Sequence, residues 1–140
     1  MSTCVIHGHR GARGLVPENT LAGFASACAI GVDGIELDVL ISADERVVIH
    51  HDPRLNTELC RDGSGEWLKG ATPLIRELTQ DQLKTFDVGR IRPGSPQASR
   101  FPLQQGVEEE NIPLLSELVC WWQTLVPRRP MLNIELKSDP

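Results

Sequence analysis

The chain has 140 residues, 40% of them apolar and 24% charged, with nineteen acidic side chains against fourteen basic ones. That composition describes one globular domain with a real core. A formal charge of -5 and only six aromatic residues, none of them Tyr, exclude a diffuse affinity for nucleic-acid backbone and a base-stacking platform, so no nucleic acid is expected as a partner. No apolar run approaches the ~20 residues of a membrane span, so no transmembrane segment is expected.

Residues 4–9 read as a first strand, with Val5, His7 and His9 on one face. A Gly-rich turn at 10–14 leads to Pro17-Glu18-Asn19-Thr20, where Asn19 is the expected helix N-cap. Leu21, Phe24, Ala25 and Cys28 then recur at helical spacing, and Gly31 is a stop signal. Residues 34–40 form a second strand, with Ile35, Leu37 and Val39 on one face and Glu36 and Asp38 on the other. A polar turn at 43–46 precedes a third strand at 47–51, which Asp52-Pro53 terminates.

Residues 54–112 make an irregular insert punctuated by Gly and Pro, with one short helix near 79–84 capped by Thr79. Glu108-Glu109-Glu110 is expected to be a solvated loop. A helix at 113–125 buries Leu115, Leu118, Val119 and Trp122, and Trp121 and Trp122 are packing residues. Leu114 offers that helix no capping hydroxyl, so its start is expected to fray. The fourth strand, 131–137, sets Asn133, Glu135 and Lys137 against Leu132, Ile134 and Leu136. Cys4, Cys28, Cys60 and Cys120 include no C-x-x-C pair, which speaks against a zinc ribbon or a redox motif. No basic-then-apolar leader opens the sequence, so reduced thiols in a cytoplasmic protein are expected.

Strands alternating with helices predict an α/β fold with a mainly parallel sheet, whose sites form at the carboxyl ends of the strands. The four histidines fall at two such ends, His7 and His9 on the first strand, His50 and His51 on the third. Glu36 and Asp38 point the same way from the second strand, and Glu135 lies on the fourth. Carboxylates on a sheet face cost several kcal/mol unless paired or metal-bound. Three together suit a hard cation such as Mg²⁺ or Ca²⁺, and histidines beside it suit general acid–base work near neutral pH.

The ordered set His9-Arg10-Gly11-Ala12, Pro17-Glu18-Asn19-Thr20, Ile35-Glu36-Leu37-Asp38-Val39, His51-Asp52-Pro53 and Asn133-Ile134-Glu135-Leu136-Lys137 resembles the glycerophosphodiester phosphodiesterase family. The resemblance implies a TIM (β/α)₈ barrel, which usually takes ~250 residues. Residues 1–140 are therefore expected to be the N-terminal portion of such a domain, a partial barrel of about its first four βα units. It implies a metal-dependent hydrolase of lipid metabolism that splits a small glycerophosphodiester into glycerol 3-phosphate and an alcohol. His9 and His51 match the catalytic pair, and Glu36, Asp38 and Glu135 match the ligands of the divalent cation, Mg²⁺ or Ca²⁺. Arg10 and Lys137 match positions near the substrate phosphate, and Glu18 and Asn19 have supporting roles. Asp52 either holds the turn before Pro53 or orients His51.

His7 is expected to be a hydrogen-bonded core histidine and His50 a structural one. His7-Gly8-His9 also fits a zinc-dependent amidohydrolase, although zinc prefers nitrogen and sulfur ligands over the carboxylates supplied here. A third reading is a non-catalytic half-barrel that self-associates through its open sheet edges.

Overall fold

The computed structural model describes residues 4–138. Its centre is β2 (Gly34–Ile41), in which Ile35, Leu37 and Val39 are wholly or almost wholly buried. β1 (His7–Gly8) and β4 (Met131–Leu136) both run parallel to β2, with Gly8 opposite Ile35, Asn133 opposite Glu36 and Glu135 opposite Asp38. β1 is shorter than the sequence predicts; Val5 and Ile6 precede it and are exposed.

The third strand departs from expectation. β3 (Val47–Ile49) is antiparallel to β2, with Ile49 opposite Val39. The reason is the connection: Ser42 and Arg46 close a tight turn, with Ser42 N–H donating to Arg46 C=O at 2.9 Å. A parallel crossover needs a dozen or more residues, so so short a polar turn produces a hairpin. Three strands of this sheet are parallel, not four.

Backbone groups alternate in direction along a strand. The Asp38 carbonyl accepts from His50 N–H, whereas the next carbonyl, of Val39, accepts from Lys137 N–H. Gly34 N–H donates to Ile6 and the Asp33 carbonyl accepts from Met131. β1 and β3 therefore share one flank of β2, and β4 takes the other. β1 ends level with Ile35 and β3, running the opposite way, ends near Asp38. Their C-terminal ends face each other across the Glu36–Asp38 stretch.

α1 (Leu21–Ile30) is capped by Thr20, whose hydroxyl accepts from Gly23 N–H at 3.0 Å, and ends at Gly31 with φ of 91°. Asn19 is not the cap; its own φ is 53° and its side chain is turned toward β2. α4 (Leu115–Gln123) starts at Leu114 without a hydroxyl, but the Glu117 carboxylate accepts the Leu114 N–H at 2.8 Å, which closes the first turn against fraying. Phe24 and Ala27 of α1 and Leu118 of α4 pack with Ile35, Leu37, Val39 and Ile49 in one core. Leu115, Val119 and Trp122 are only half-buried, and Trp122 donates to the Pro130 carbonyl. Phe24 has no exposed surface. Phe24→Ala is expected to lower stability by about 3–5 kcal/mol, measured by chemical denaturation.

The insert has its own core, Leu55, Leu59, Cys60, Ile75, Leu83, Val88 and Ile112, joined to Leu40 and Val48 of the hairpin. α2 (Gln80–Leu83) carries the expected Thr79 cap, and α3 (Pro96–Arg100), capped by Ser95, was not legible in the sequence. Glu108 and Glu109 are exposed and Glu110 is half-buried. Among the described residues all four cysteines are free, and no helix is long and apolar enough to cross a membrane.

Candidate active site

The facing ends of β1 and β3 bring together the two histidines that the sequence singles out. His9 follows β1 and lies exposed, its Nε2 3.7 Å from Glu36 Oε2. His51 follows β3, and its neighbour His50 donates its N–H to the Asp38 carbonyl at 3.1 Å, which brings that strand end level with Asp38. His7 is exposed at the edge of the sheet, not in the core as expected, because β1 is short and its ring lies against Gly34.

The turn after β1 is tightly set. Arg10 has a φ of 53°, a conformation that costs about 1–3 kcal/mol in a non-Gly residue and needs support. Its N–H donates to Glu36 Oε2 at 2.9 Å and its carbonyl accepts from Asn19 N–H at 3.0 Å. Gly11, at φ 83°, passes so close to α1 that a Cβ there would stand 2.8 Å from the Gly23 backbone.

Glu36, Asp38 and Glu135 each offer a carboxylate oxygen, all within 4.8 Å of one another. The register explains this: Glu36 and Asp38 are successive residues on one face of β2, and Glu135 is level with Asp38. Asp38 is buried, whereas Glu135 is exposed. Asn19 donates to Asp38 Oδ2 at 2.9 Å, Arg10 Nε lies 3.2 Å from that oxygen, and Lys137 Nζ lies 3.2 Å from Oδ1. Burial alone would raise the Asp38 pKa; the Asn19 hydrogen bond and the Lys137 and Arg10 cations outweigh it and hold the carboxyl below its usual value. Lys137 is in turn raised, first by its bond to Glu135 and then by Asp38. Among the described residues this is the cluster suited to a metal, and its donors are all oxygen. A hard divalent cation fits that set; a zinc site built on His7 and His9 does not.

Glu18 is nearly buried between two arginines. It accepts from Arg10 Nη1 at 2.8 Å, and Arg13 Nε pairs with its other oxygen. Arg13 was not singled out by the sequence, since an arginine in a Gly-rich turn carries no spacing signal of its own.

His51 is oriented by Asp52. Nδ1 lies 2.7 Å from Asp52 Oδ1, and Asn56 donates to the other carboxylate oxygen at 2.7 Å. Those two bonds outweigh burial and keep Asp52 below its usual value. An ionised carboxylate only accepts, so the proton of a neutral His51 sits on Nδ1 and leaves Nε2 basic.

His50 is buried, and its Nε2 has no hydrogen-bond partner. Burial pushes its pKa down from the ordinary 6.5, more than Asp52, the Arg54 backbone and Glu18 raise it. The unfolded chain takes up this proton near the ordinary value while the folded chain resists it. Stability from this group is therefore complete above about pH 6.5 and is lost as pH falls, by at most about 1.4 kcal/mol per pH unit. Denaturation followed between about pH 7.5 and about pH 5.5 is expected to show that slope, and His50→Gln to flatten it.

Fold and site define a class: an α/β protein with a cluster of three carboxylates, two histidines and an arginine–carboxylate network at the ends of its strands. The model of the glycerophosphoryl diester phosphodiesterase family matches residues 9–139, and the chain belongs to that family, whose fold is a TIM barrel. A glycerophosphodiester phosphodiesterase of Bacillus altitudinis is 35% identical over 136 residues, covering 96% of this chain and 45% of its own. One from Caldanaerobacter subterraneus is 34% identical, over 99% of this chain and 46% of its own. A Silicibacter pomeroyi structure described as a glycerophosphoryl diester phosphodiesterase superposes with a TM-score of 0.96 at 40% identity, over 99% of this chain and 47% of that one. An Oleispira antarctica phosphodiesterase in complex with the product sn-glycerol-3-phosphate matches with a TM-score of 0.65 at 28% identity, over 96% and 44%. The chain spans about half the length of these relatives.

Proposed function

We propose that the polypeptide hydrolyses glycerophosphodiesters to glycerol 3-phosphate and an alcohol, with a divalent cation and a pair of histidines. The observation that carries this reading is the convergence of His9 and His51 on a cluster of three carboxylates. One histidine takes the proton from the attacking oxygen and the other gives one to the leaving alkoxide, which is otherwise a poor leaving group. Glu36, Asp38 and Glu135 would hold Mg²⁺ or Ca²⁺, which would supply Lewis-acid polarisation of the phosphoryl group. Arg10 and Lys137 meet the phosphate; a guanidinium has five donors, and the contacts to Glu18 and Asp38 engage two of its three nitrogens.

The charges support an anionic substrate. Glu18, Glu36, Asp38 and Glu135 face Arg10, Arg13 and Lys137. That set has one net negative charge. A divalent cation reverses it to one net positive, which matches a phosphodiester monoanion.

In this reading β1, β2 and β4 are strands of the barrel, and the β3 hairpin is an addition that delivers His51. Met131, Ile134 and Leu136 leave apolar surface exposed on β4. The test uses the polypeptide that the complete reading frame encodes. With Mg²⁺ or Ca²⁺ it is expected to release glycerol 3-phosphate from glycerophosphocholine, and to stop after chelation. Activity restored by zinc alone, on an amide and not on a phosphodiester, overturns the reading.

A further inference from the structure

We infer that Arg13 is a positioning residue through which the insert sets the geometry of Arg10; this rests on the phosphodiesterase reading above. Arg13 is itself no part of the carboxylate cluster, yet its side chain is about as buried as that of Arg10, 10% against 11% exposed. One side of its guanidinium pairs with Glu18, and its central carbon lies over the Phe101 ring at 4.7 Å from the centroid. A cation held over an aromatic face and against a carboxylate is fixed in both position and plane.

The insert grips the same turn twice more. Gln104 Nε2 donates to the Arg13 carbonyl at 2.7 Å, and Gln105 N–H donates to the Leu15 carbonyl at 2.8 Å. These contacts link residues about ninety positions apart in the chain. Phe101 therefore acts on Arg13, Arg13 on one oxygen of Glu18, and the other oxygen of Glu18 on Arg10, which lies against Asp38. Glu18 is nearly buried, its side chain 9% exposed, and the two guanidinium groups each hold one of its oxygens. When Arg13 is removed, the carboxylate has one cationic partner left and is free to rotate around it. Arg10 then loses the fixed acceptor that orients its fork toward the phosphate.

The test is a double-mutant cycle in the full polypeptide, read as affinity for glycerol 3-phosphate by calorimetry. Arg13→Ala is expected to weaken binding about tenfold and Phe101→Leu about threefold. Arg13→Lys, which keeps the charge and loses the plane, is expected to fall between wild type and Arg13→Ala. With Arg10→Ala as background, where the group being positioned is gone, Arg13→Ala is expected to change affinity by less than about twofold. In turnover the single variant raises KM more than it lowers kcat. Equal losses with and without Arg10 overturn the inference, as does wild-type affinity in Arg13→Ala. If Arg13→Ala does not fold, Arg13→Lys and Phe101→Leu carry the same cycle. A wild-type protein that binds no glycerol 3-phosphate overturns the phosphodiesterase reading itself, an outcome separate from these.

Discussion

His51→Ala is expected to lower kcat on a glycerophosphodiester by about 10²–10⁴-fold, the range that a positioned general acid or base contributes. His9→Ala is expected to fall in the same range. The double variant is expected to lose far less than the product of the two, because groups that act as a unit are not additive. The fold is expected to survive each change, since His9 is exposed and His51 is only part-buried. Turnover at the wild-type rate in either single variant overturns the acid–base assignment. Asp52→Asn gives an intermediate loss: the amide no longer requires the proton on His51 Nδ1, so the basic Nε2 is not enforced.

Glu36→Gln is expected to weaken Mg²⁺ or Ca²⁺ binding by at least about tenfold, because a hard cation loses an ionised oxygen ligand. Calorimetric titration of purified protein reads this directly, and unchanged affinity removes Glu36 from the metal site. The substitution also removes a charged acceptor from the Arg10 N–H, so turnover falls by more than the metal effect alone. Asp38→Asn is expected to differ in kind. It abolishes metal binding and destabilises the fold by about 3–5 kcal/mol, because Arg10 and Lys137 lose their shared buried anion. A melt and a titration on the same sample separate the two consequences.

The family motifs and the alternation of strands and helices were legible because they depend on local order and period. Ile35, Leu37 and Val39 against Glu36 and Asp38 is a period-2 pattern, and it set the two faces of β2 correctly. Thr79 and Gly31 were legible as helix boundaries for the same reason. Asn19 and Thr20 both suit the cap position by type; what selects Thr20 is that the Asn19 side chain is turned to Asp38, nineteen residues away, with a φ of 53° at Asn19. The strand–helix alternation predicts a mainly parallel sheet, whereas the length of the turn at 43–46 makes the strand after it the antiparallel partner of β2. Arg13 and Phe101 could not be paired from sequence, since nothing in composition links positions so far apart.

Residue types and their order were sufficient to indicate the family, the carboxylates and the two histidines, because the motifs are local in sequence and the strand period puts Glu36 and Asp38 on one face of β2. How His51 reaches that cluster is a different matter. It arrives not at the end of a parallel strand but on an antiparallel one whose end meets that of β1 over Glu36 and Asp38. The same holds for the orientation of His51 by Asp52 and for the link from Phe101 through Arg13 and Glu18 to Arg10. Which strand ends meet and which side chains pair are decided by which groups are desolvated together, and that is a property of the folded chain.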